Sequence, residues 1–78
     1  MELLHLKYFQ TVANTQHMTN AAKKLHIVQP ALSRIINSLE KEIGVDLFDR
    51  NGKKIILNSN GEMFLKTVNE SLSILENG

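Results

Sequence analysis

The chain has 78 residues, 42% of them apolar and 22% charged, with a formal net charge of +1 and no cysteine. That length suits one small domain, the composition excludes a disordered chain, and the lack of cysteine excludes disulfide staples and thiolate metal sites. No apolar run approaches a membrane span and no secretion signal opens the chain, so a cytoplasmic protein without a membrane partner is expected.

The first helix is predicted from about Leu3 to Asn14, with Leu6, Phe9, Val12 and Ala13 as its buried stripe. Thr15-Gln16-His17 is a polar break, after which Thr19 or Asn20 is expected to cap a second helix. In that helix Met18, Ala21, Ala22 and Leu25 keep helical spacing, and the paired alanines allow another helix to approach closely. Only His26-Ile27-Val28 precedes the third helix, so the two must cross steeply over a tight turn, the geometry of a helix-turn-helix.

The third helix carries Pro30 in its first turn, where a missing N–H costs nothing, and stops at Gly44. Leu32, Ile36, Leu39 and Ile43 form one narrow apolar stripe, while Pro30, Ser33, Arg34, Asn37 and Lys41 fall on the other side. A helix held by one face and carrying hydrogen-bond donors on the other suits insertion into a DNA major groove. Charge is also segregated: no acidic residue separates Glu2 from Glu40, whereas Lys7, Lys23, Lys24 and Arg34 lie between them. Glu40, Glu42, Asp46 and Asp49 follow, and then Arg50, Lys53 and Lys54. Such alternation implies a polarised surface with one face suited to phosphates.

Val45–Phe48 and Lys54–Leu57 are short β-prone segments flanking Asn51-Gly52, the strongest short hairpin signal. A two-stranded wing is expected there, with Phe48, Ile55 and Leu57 docked on the helices because an isolated hairpin is marginal in water. Asn58 or Ser59 caps a fourth helix reaching roughly to Glu76, in which Met63 and Phe64 face back toward the wing and first helix. Leu65, Val68, Leu72 and Leu75 step by 3, 4 and 3, the spacing of a coiled-coil seam. The seam is read as a homodimer contact, with coverage of the protomer's own apolar surface as the alternative.

Several segments together resemble the N-terminal DNA-binding domain of LysR-type transcriptional regulators. They are Leu6-Lys7-Tyr8-Phe9, Ala21-Ala22-Lys23-Lys24-Leu25-His26, Gln29-Pro30-Ala31-Leu32-Ser33-Arg34, Leu39 to Val45, Leu47-Phe48-Asp49-Arg50 and Gly61. The resemblance implies a mainly α, winged helix-turn-helix fold: a three-helix core, a two-stranded β wing and a long C-terminal helix. It divides the chain into a DNA-binding unit at residues 1–58 and a linker and dimerisation helix at 59–78. The implied partner is double-stranded DNA, bound by a homodimer at an interrupted inverted repeat in a bacterial cytoplasm. A small-molecule inducer would act only through a larger C-terminal domain that this chain is expected to lack.

Carried over by position, Gln29, Pro30, Ser33 and Arg34 match family positions that meet bases or nearby phosphates. Thr19 with Lys23 or Lys24 matches backbone contacts of the second helix, and Arg50 and Lys53 match wing contacts. Lys54 is a simple phosphate ligand, and Asn37, one turn beyond Ser33, is the farthest candidate DNA contact along the helix. Arg34 suits either guanine or phosphate, and Gln29 either an adenine or the helix cap. Two positions depart from the family pattern. Val28 replaces a capping serine or threonine, worth about 1 kcal/mol at the helix end. Ile35 replaces a commonly polar residue, where it widens the core or touches a thymine methyl.

His5, His17 and His26 fit no metal-ligand spacing, and no phosphate loop or nucleophile with a base is in sight, so neither metal, cofactor nor catalysis is expected. The rival function is a winged-helix module that binds protein rather than DNA.

Overall fold

The computed structural model describes residues 2–52 and 54–77, the last two by backbone alone. Six elements follow one another: α1 (Leu3–Thr15), α2 (Met18–Leu25), α3 (Gln29–Ile43), β1 (Phe48–Asn51), β2 (Lys54–Leu57) and α4 (Ser59–Asn77). This is the expected mainly helical arrangement with one two-stranded antiparallel sheet.

The first three helices each stop for an identifiable reason. Gln16 and His26 adopt left-handed backbone after α1 and α2, and Gly44 does so after α3, returning its N–H to the Glu40 carbonyl. The cap of α2 differs from the expectation. His17, not Thr19 or Asn20, precedes the helix, and its Nδ1 accepts the Asn20 N–H at 3.3 Å. Neutral imidazole offers that acceptor nitrogen as a serine would offer its hydroxyl, while Thr19 and Asn20 lie within the first turn.

Phe9, Val12 and Ala13 from α1 meet Ala21 and Ala22 of α2 and Leu32, Ile36 and Leu39 of α3 in the core. Phe9 is central, with its ring 5.5 Å from Phe48 and 5.0 Å from Phe64, the latter edge-on. Leu6, expected in the stripe, is half-buried at its rim.

The wing pairs Phe48 with Leu57 through Asn51 with Lys54, and Phe48 and Ile55 reach the core as expected. Its first strand begins at Phe48 rather than Val45, because the N–H groups of Leu47 and Phe48 point to the Glu40 carboxylate. Asn51 belongs to the ladder, and Gly52 follows it in a turn with φ 64°. Lys53 lies outside the described residues.

Asn58 caps α4 by accepting the Gly61 N–H at 2.8 Å, while its own Nδ2 donates to the Asp46 carbonyl at 2.9 Å. The expected dimer seam is largely occupied within the protomer. Val68 and Leu72 are buried in the core, Leu65 packs against it, and Gln10 of α1 donates to Asn69 Oδ1 at 2.7 Å. The heptad spacing describes the stripe correctly, but α1 lies alongside and covers it. Of the four seam residues only Leu75 is open, 63% exposed, next to Ile74 at 71%. Met63, expected to face inward, is 73% exposed, and Phe64 alone of that pair packs on the core.

Gly61 is buried where α4 starts beneath the wing, and a Cβ there would collide with the Leu47 carbonyl oxygen and stand 2.6 Å from Leu57 Cδ1. Gly61→Ala is therefore expected to lower stability by about 1–3 kcal/mol, as overpacking does, read as a fall in the urea midpoint.

Candidate nucleic-acid interface

With its stripe buried, α3 turns Pro30, Arg34, Asn37 and Lys41 outward, and Ser33 is half-buried between them. Gln29 opens the helix without capping it: its Nε2 donates to Ser33 Oγ at 3.4 Å. That contact holds the two side chains together, leaving the Gln29 carbonyl and the Ser33 proton for a partner. Val28 supplies no side-chain cap and no acid lies in the first turn, so the positive end of the α3 dipole is not offset there.

The connection between α1 and α2 brings the wing to this face. Gln16 Oε1 accepts the Leu57 N–H at 3.3 Å, and His17 forms an isolated bridge with Lys54. Thr19, Gln29, Arg50 and Lys54 therefore border one cleft of about 500 Å³, together with His17 and Gly52. Four of the expected contact residues thus come together from α2, α3 and both strands, with no carboxylate at the rim. Lys23 and Lys24 are exposed in the last turn of α2, away from that cleft.

Asn37 and Arg50 instead turn toward each other. Arg50 Nη2 donates to Asn37 Oδ1 at 2.7 Å and lies 3.8 Å from Glu40 Oε1. The other Glu40 oxygen accepts the N–H groups of Leu47, at 2.7 Å, and Phe48, at 3.4 Å. Glu40, with a side chain only 11% exposed, is the residue of this site that the sequence reading missed. Nothing local marks it, since its partners lie seven to ten residues away. Asp46 and Asp49 border a second cleft, shared with Asn37, Glu40 and Arg50, so the negative charge collects on the other side of Arg50.

The three histidines have separate duties: His17 caps α2, His26 ends it, and His5 lies beside Tyr8 with ring centroids 6.4 Å apart. Among the described residues no His, Cys, Asp and Glu group of three could hold a metal ion. No described helix is long and apolar enough to cross a membrane.

Residues 3–62 match the family model for bacterial regulatory helix-turn-helix proteins of the lysR family. The chain is 57% identical over 68 residues to the Bacillus subtilis HTH-type transcriptional regulator YybE, covering 87% of this chain and 23% of that protein. It is 51% identical over 77 residues to BsdA, an HTH-type transcriptional regulator of the same organism, covering 97% of this chain and 27% of that one. The crystal structure of the CbnR DNA-binding domain in complex with DNA superposes with a TM-score of 0.93 at 38% identity, covering 99% of this chain and 88% of that one. The chain thus spans about a quarter of the length of the curated relatives it matches.

Because Glu40 satisfies two backbone donors and faces a guanidinium, Glu40→Ala is expected to cost about 1–3 kcal/mol of stability. Thermal and urea unfolding would check this, with a loss within the ±0.5 kcal/mol or so of a plain surface change counting against it.

Proposed function

The chain belongs to the LysR family of bacterial regulatory helix-turn-helix proteins, as its DNA-binding domain, and we propose that it reads a specific duplex with α3 in the major groove. The observation that carries this is the outward face of α3, where Gln29, Pro30, Ser33 and Arg34 sit without a carboxylate beside a cleft shared with Thr19 and Lys54. Arg34 supplies a planar fork that matches the two acceptors of guanine, and Ser33 and Gln29 supply shorter-range polar contacts. Thr19, Lys23, Lys24 and Lys54 hold phosphates and fix register without carrying sequence information. Lys53 is assigned the same role from its place in the chain.

The mechanism is binding without chemistry, in a bacterial cytoplasm. Dimers form through the outer end of α4, where Ile74 and Leu75 are exposed, and two α3 helices then meet an interrupted inverted repeat. Inducer sensing belongs to a separate effector-binding domain of the full-length regulator and uses none of these residues. A protein-only module has no observation in its favour, because such a face needs no acid-free array of donors.

Arg34→Ala is expected to cost about 1–3 kcal/mol of affinity and to relax preference at one base pair. Binding to duplexes selected from a random pool measures both, and an equal loss on every sequence would reassign Arg34 to a phosphate. Wild-type affinity should also fall linearly in log–log form as salt rises, because phosphate contacts release counterions. Leu75→Asp should weaken dimers in sedimentation while the melting temperature holds. Leu72→Asp would bury a charge and unfold the protomer, so it does not test association.

A further inference from the structure

Arg50 occupies the boundary between two unlike surfaces. On one side lies the cleft bordered by Thr19, Gln29 and Lys54; on the other lies a cleft of about 390 Å³ bordered by Asn37, Glu40, Asp46 and Asp49. Its guanidinium is committed to the second side, donating to Asn37 at 2.7 Å and facing Glu40 at 3.8 Å. That cleft is lined by three carboxylates, with Glu40 the one facing the guanidinium, and makes a poor seat for a phosphate. A guanidinium only donates, so Asn37 must present its oxygen to Arg50, and the amide is thereby tied to the base of the wing.

The two edges of the wing are therefore held by different means. The β2 edge rests on the α1–α2 connection through Gln16 and His17. The β1 edge is joined to α3 through Arg50, which reaches across 13 positions of sequence to Asn37.

We propose that Arg50, acting through Asn37 and Glu40, is a positioning residue that sets the wing's distance and angle from the reading helix. Wing contacts on flanking DNA and α3 contacts in the major groove are then made in a single register. Asn37 anchors the wing and reads no base. This rests on the DNA-binding reading and assigns within it a task that contact residues alone do not perform.

The test compares the wild type with Asn37→Ala and Asn37→Asp on two duplexes selected from a random pool. One carries full flanks, and the other is trimmed to the base pairs under α3. Trimming is expected to cost the wild type about tenfold in affinity and Asn37→Ala less than about twofold, because the wing has already lost its register. Asn37→Asp keeps an oxygen for Arg50, so it binds more weakly overall yet retains the trimming penalty. An unchanged penalty in Asn37→Ala, its equal loss in Asn37→Asp, or altered preference at one base pair overturns the proposal. A wild type indifferent to trimming also overturns it while leaving DNA binding intact. A wild type that selects no duplex overturns the DNA-binding reading as well.

Discussion

Whatever this domain presents to a partner depends on how α3 is rotated about its own axis, and apolar burial sets that rotation. Leu32, Ile36 and Leu39 are each almost wholly removed from water, at about 1.5–3 kcal/mol apiece. Turning the helix by one residue, 100°, would bring them into solvent and drive Arg34 toward the core. Ala21 and Ala22 make the setting possible, because their small side chains let α2 come close beneath the turn. No polar contact needs to aim Arg34 outward, since the opposite face of its helix has nowhere else to go.

The wing depends on that setting at one remove. A two-stranded hairpin is marginal in water, and this one gains its place from attachments at both ends. Phe48 and Ile55 enter the core, Asn58 joins the Asp46 carbonyl to the start of α4, and Glu40 takes the backbone donors that precede the ladder. Glu40 also shows how an acid is tolerated on the helix that faces a polyanion. Its oxygens are turned to two N–H groups and a guanidinium, so little of its charge is left to repel a phosphate.

Elements and their faces were readable from local chemistry. Periodicity placed the helices, Gly44 marked the end of α3, and Asn58 marked the start of α4, because each depends on residues within one turn. Apart from the His17 cap, three residues from its Asn20 partner, the misplaced features involve longer reach. Val45 to Leu47 look like strand, but a carboxylate seven residues upstream takes the Leu47 N–H and leaves that stretch as a connector. An imidazole seldom serves as a cap, and only the fold shows the His17 nitrogen facing the Asn20 N–H. Asn37 and Arg50 were each placed correctly on a surface, yet their pairing across α3 and β1 has no sequence signature.

The fourth helix makes the same point about stripes and their partners. A heptad step states which side of a helix is apolar and leaves open whose surface will cover it. In a domain this small, α1 is the nearest apolar surface, and Val68 and Leu72 join Phe9 and Val12 in the core before any second copy is available. Packing thus shows no break at residue 58. The first part of α4 completes the core that orients α3, while the end bearing Ile74 and Leu75 stays exposed. Dimer geometry would then be passed to the reading helices through a shared hydrophobic core, without a flexible joint between the two tasks.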